Sequence, residues 1–171
     1  MPFSAIRFRR LPARTVLLGC IAAACAAVPP PRFADGAPRP VACPGASFFP
    51  RDGAVTVTVR EGFPRIDLTH GHSLEFDEGA VPVGSQYRVT RARGDFAALE
   101  IVPVGNAPAR FQGLARLTVN YAPCGADDGR PGFGMYRWES GDVLVPVPSA
   151  RGGGRVSALL DGFSTYVIGT N

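Results

Sequence analysis

Four groups of residues carry types and spacing that could do chemistry. His70-Gly71-His72 sets two imidazoles at i and i+2, positions that share a face on a strand and could chelate a metal. A third ligand would have to come from Asp67, Glu75 or Asp77 nearby in sequence. Thr69 and Gly71 read instead as a loop or hairpin tip, where exposed histidines are the ordinary outcome. Asp127-Asp128-Gly129 puts two carboxylates on a glycine turn, the raw material of a Ca²⁺ loop; a solvated turn is the plainer reading. Glu75, Asp77 and Glu78 could supply the two carboxylates of a glycosidase, but strand-edge acids are ordinarily solvated. Tyr136 and Trp138 share a strand face, as packing residues or as a platform for a sugar or a partner. Neither a Gly-x-Ser-x-Gly elbow nor a cysteine–histidine metal spacing occurs. The expectation is a protein with no catalytic centre, cofactor or metal.

The elements that must position these residues begin after a leader. Arg7, Arg9, Arg10 and Arg14 precede a short apolar run, Thr15 to Ala24, followed by small residues. Residues 1–24 thus read as an export signal, too short to span a bilayer as a permanent helix. The leader holds four of the 18 basic residues and none of the 14 acidic ones, so the remainder, with 14 of each, is formally neutral. That removes the electrostatic case for nucleic acid or a polybasic membrane patch.

Ile21-Ala22-Ala23-Ala24-Cys25 resembles a bacterial lipobox, in which the cysteine becomes the lipidated first residue. Leu17-Leu18-Gly19-Cys20 fits the pattern better but leaves too short an apolar region after Arg14. Lipidation at Cys25 is therefore expected, with ordinary signal cleavage after Ala26 as the alternative. Either leaves two cysteines, Cys43 and Cys124. In an exported domain these are expected to pair, closing a loop of about 80 residues with a contribution on the order of 4 kcal/mol. Two buried free thiols are the alternative.

Residues 25–42 contain Pro29, Pro30, Pro31, Pro38 and Pro40 and read as an extended tether, poor in helix and sheet, reaching roughly 50 Å. From Cys43 onward the pattern is β. Val55, Val57 and Val59 alternate with Thr56, Thr58 and Arg60. Further short strands are expected at 73–76, 86–90, 97–102, 114–121, 134–138, 143–147, 155–160 and 164–169, with Gly and Pro in nearly every gap. Arg151-Gly152-Gly153-Gly154-Arg155 reads as a hairpin loop, since a phosphate cradle would need a following helix. Eight or nine strands over residues 43–171 make an all-β, single antiparallel β-sandwich.

Three blocks then resemble the ZU-five domain of zonula occludens proteins, netrin receptors, ankyrins and bacterial surface proteins. The first runs from Leu74 through Gly79-Ala80 to Tyr87, with Glu78 where the family usually has proline. The second is Phe111 to Tyr121, which lacks the family's proline before the apolar run. The third comprises Gly134 to Asp142, Leu144 to Ser149 and Gly162 to Ile168. The resemblance implies a sandwich that works through contact with other proteins. Some members cut themselves at His-Phe-Ser, the serine attacking the preceding carbonyl while histidine moves protons. Here the residues are Gly162-Phe163-Ser164, so the nucleophile is present and the histidine is not.

The expected function is that of a non-enzymatic, exported envelope module, lipid-anchored or secreted, whose partner is an envelope protein. It would meet the membrane through its lipid alone and would not bind nucleic acid. Self-cleavage at Phe163-Ser164, and metal or calcium binding through His70/His72 or Asp127/Asp128, are the alternatives.

Overall fold

The computed structural model describes residues 31–44, 48–49, 53–62, 64–92 and 94–171. Residues 1–30, which hold the leader with Cys20, the lipidation candidate Cys25 and the start of the proline-rich segment with Pro29 and Pro30, lie outside the described residues. Among the described residues there are twelve strands: β1 (Arg39–Pro40), β2 (Ala54–Thr58), β3 (Arg65–Asp67), β4 (Ser73–Phe76), β5 (Gln86–Arg91), β6 (Ala98–Val104), β7 (Arg110–Asn120), β8 (Gly134–Glu139), β9 (Val143–Val147), β10 (Ser149–Gly152), β11 (Arg155–Gly162) and β12 (Thr165–Thr170). They form two antiparallel sheets. One runs β2-β5-β6-β12-β8-β9, with β1 beside the end of β12; the other runs β10-β11-β7-β4-β3. This is the expected all-β sandwich, with every expected strand in place and three more besides.

The alternation explains the layers. Leu74 and Phe76 of β4, Leu117 and Val119 of β7, and Val156 and Leu160 of β11 face inward from the smaller sheet. Tyr87 and Val89 of β5, Leu99 and Ile101 of β6, and Tyr166 and Ile168 of β12 meet them from the larger. Truncating one of these leucines to alanine would cost about 2–5 kcal/mol. The three additional strands are too short for alternation to mark them. β3 is Arg-Ile-Asp, β10 is wholly exposed Ser-Ala-Arg-Gly, and β1 contains a proline. The Gly-rich run is the turn of the β10–β11 hairpin. Gly153 and Gly154 have φ of 58° and 74°, and both central positions of a type I′ turn require such values.

Strand β1 corrects the tether. Its extended backbone, poor in helix as expected, is used by the larger sheet. Arg39 pairs with Thr170 and Pro40 with Gly169. The Val41 N–H then donates to the Ile168 carbonyl at 2.8 Å, and the Ala97 N–H to the Val41 carbonyl at 2.9 Å. Extended proline-rich chain suits so short a pairing beside the end of β12, where few ladder positions need the missing N–H. Upstream, the Arg32 N–H donates to Asp142 at 3.0 Å, and Phe33 packs against Trp138 with ring centroids 5.6 Å apart. The chain is thus docked from Arg32 onward and is no free spacer there.

Cys43 and Cys124 form a disulfide with Cα atoms 4.6 Å apart. Cys43 follows the docked segment and Cys124 ends a 3₁₀ turn after β7, Ala122–Cys124. The bond therefore ties the segment after β1, beside the interior strand β12 of the larger sheet, to the turn after the long central strand of the smaller one.

Candidate functional site

The two histidines separate in role. A 3₁₀ turn over Thr69–Gly71 leads into β4, with His70 in the left-handed region (φ 60°) and exposed. His72 is 1% exposed, against the expectation of an exposed pair. Its Nδ1 accepts the Asn120 backbone N–H at 3.0 Å, which places the ring proton on Nε2; that proton goes to the Phe48 carbonyl at 2.7 Å. The Phe48 ring meets the imidazole edge-on at 4.8 Å. Burial holds the His72 pKa below its ordinary value, outweighing the Phe48 hydrogen bond. Both ring nitrogens are consumed, so His72 cannot join His70 on a metal. Among the described residues no three His, Cys, Asp or Glu side chains are grouped to hold one.

The acidic candidates are likewise engaged or scattered. Asp127 Oδ1 accepts the Gly129 N–H at 3.0 Å, and Asp128 accepts the Tyr121 hydroxyl at 2.6 Å. Burial and this carboxylate push the Tyr121 pKa up to about 12. These are turn-building contacts. Glu75 stands in register between Arg65 of β3 and Arg116 of β7, while Asp77 and Glu78 are exposed in the following turn.

Phe163 and Ser164 link β11 to β12. The Phe163 ring stacks on Tyr87 at 4.1 Å and meets Phe111 edge-on at 4.2 Å. The Ser164 carbonyl accepts the Ile101 N–H at 3.0 Å. A cleft of about 490 Å³ opens here, lined by Arg110, Arg137, Asp161 and Tyr166 among others. Arg137 pairs with Glu139 at 2.8 Å and with Asp161 at 3.7 Å. Burial, and then Asp161, push the Tyr166 pKa up to about 12, and its hydroxyl donates to the Gly162 carbonyl at 2.7 Å. Strand β7 measures the distance to the histidines: its Arg110 pairs with Gly162 and its Asn120 binds His72. Ten residues of strand separate the two, about 33 Å. No histidine can act on Ser164.

The aromatic pair divides too. Tyr136 is 4% exposed, packed with Ala98, Leu144 and Val167, and its hydroxyl donates to the Gly132 carbonyl at 2.5 Å. Trp138 is only partly buried. Its indole N–H donates to Asp142 Oδ1 at 3.3 Å, and Phe33 and Phe96 flank the ring at 5.6 and 5.8 Å. Strand register sets a row across the outer face of the larger sheet. Thr90 lies opposite Glu100, Glu100 opposite Thr165, and Thr165 opposite Trp138. A shallow cleft of about 420 Å³ lies along it, lined by Ala92, Glu100, Trp138, Glu139, Ser140 and Thr165. Sequence marked Trp138 as a candidate; its neighbours come from three other strands and carried no local signal.

In comparisons with known proteins, no family model, curated protein or solved structure matches this chain.

Proposed function

We propose that this protein is a non-enzymatic, exported envelope module, lipid-anchored at Cys25 or secreted, that works as a protein-interaction or structural domain of ZU-five-like type. The observation that carries the reading is the Cys43–Cys124 disulfide, a bond that persists in oxidising compartments outside the cytosol. The docked segment adds to it. A chain fastened from Arg32 onward suits a globule held close to whatever carries its N-terminus. Support for the family reading is that the resembling blocks fall on β4 to β5, on β7, and on β8, β9 and β12 of one sandwich. Among the described residues no helix is long and apolar enough to cross a membrane.

The test is the intact mass of the protein from its native host, with and without reductant and alkylating agent. A chain that begins at an acylated Cys25 and alkylates at two thiols only after reduction supports the anchored form. A chain beginning at Ala27 supports the secreted form. Retention of residues 1–24, or two free thiols without reduction, overturns export.

A further inference from the structure

We propose that the outer face of the larger sheet around Trp138 docks a basic segment of a partner protein, with an arginine or lysine side chain laid across the indole and its charge at Glu100. This rests on the interaction reading and gives it a location and a partner chemistry.

Charge complementarity selects the occupant. Among the described residues the charged ones lining the cleft are Glu100 and Glu139, and since Glu139 is already paired with Arg137 at 2.8 Å, Glu100 carries the open charge. A third carboxylate, Asp142, sits against the indole N–H. Trp138 and Glu100 are two strands apart on one face, with the small Thr165 between them. At about 4.8 Å per strand the two Cα atoms lie roughly 10 Å apart, a gap floored by a residue too short to fill it. A long cationic side chain fits that slot: its stem covers aromatic surface while its head reaches the carboxylate. The part of the indole that Phe33 and Phe96 leave exposed adds attraction for the cation. Thr90 donates to one Glu100 oxygen, Oε2, at 3.4 Å, and among the described residues no other group binds this carboxylate.

The platform is also held still. Asp142 fixes the indole N–H, and Phe33 and Phe96 fix the ring. Little side-chain freedom remains to be lost on binding.

Trp138 is the chain's single tryptophan, so its emission reports this site alone. The test titrates the intact mature protein at low salt with an acetylated tetra-arginine amide and, in parallel, with cellohexaose. A saturable change with the peptide is expected, at least threefold weaker in Glu100→Gln and at least tenfold weaker in Glu100→Lys. Both variants should melt within a degree or two of wild type, because Glu100 is exposed. No saturable change with the peptide, or equal binding by Glu100→Lys, overturns the proposal. A response to cellohexaose alone overturns it too and makes the row a sugar site.

Cross-linking in the native host separates this claim from the reading beneath it. A partner lost on Glu100→Lys supports both. One captured equally by wild type and Glu100→Lys keeps the interaction reading and overturns this site. Capture by neither, with peptide binding also absent, overturns both.

Discussion

The backbone N–H of Asn120 points at Nδ1 of His72, 3.0 Å away, and so decides which nitrogen carries the proton. A protonated imidazole would set two N–H groups against each other in a buried site. His72 is therefore a neutral wedge joining the end of β7 to Phe48.

That wedge makes stability depend on pH. The folded His72 pKa lies below its ordinary 6.5, so below pH 6.5 the unfolded chain takes up a proton that the folded chain refuses. The contribution is complete above about pH 6.5 and is lost progressively as pH falls toward the folded value. Urea midpoints should drop between pH 7.5 and pH 5. The His72→Phe variant should lose about 2–5 kcal/mol at pH 7.5, because the Asn120 N–H and Phe48 carbonyl lose their partner. It should also show a flatter pH profile. A wild-type profile as flat as the variant's would contradict the assignment.

Reduction should weaken the fold markedly. The Cys43–Cys124 bond spans a sequence separation of 81, and the loop-entropy model gives about 4 kcal/mol for a loop of that size. Paired Cys43→Ala and Cys124→Ala substitution should lower the urea midpoint by a similar free energy. Added reductant should then have no further effect on the double variant.

Phe163 and Ser164 should behave in opposite ways. Phe163→Ala removes a ring stacked between Tyr87 and Phe111 and should cost about 2–4 kcal/mol, somewhat less than a fully buried phenylalanine. Ser164→Ala should leave the chain's migration on a denaturing gel unchanged. A cleavage product in wild type that disappears in Ser164→Ala would make self-processing the function to pursue.

Phe33 should report the docking of the N-terminal segment. Its ring lies against Trp138, so Phe33→Ala should expose the indole and shift its emission to longer wavelength. The stability cost should be modest, about 1 kcal/mol for a partly buried ring at the chain's edge. Unchanged emission would mean that the segment does not rest on the sheet in solution.

The sandwich was legible because its strands repeat with period two. Val57 and Val59, Leu74 and Phe76, and Leu117 and Val119 all point where alternation puts them. Strands β1, β3 and β10 left no such trace, being two to four residues long. The docking of the proline-rich segment was hidden because its fastening is made by backbone groups and by Asp142, 110 residues away from Arg32. The burial of His72 was hidden for a related reason: its partners, Phe48 and Asn120, are 24 and 48 residues distant. The Glu100–Thr165–Trp138 row exists only through strand register, which no local window contains.

The disulfide and the β1–β12 pairing together define how the molecule would bear tension between its two ends. Arg39 faces Thr170, so a pull on the N-terminus against the C-terminus opens that pair like a zip, one hydrogen bond at a time. The slack ends at Cys43. From there tension crosses directly to Cys124 and bypasses everything between them. At about 3.4 Å per residue, roughly 270 Å of contour is withheld from extension. The smaller sheet's β3, β4 and β7, with β2, β5 and β6 of the larger, lie inside that protected length. Under such a pull the fold yields softly as far as Cys43 and then meets a covalent stop.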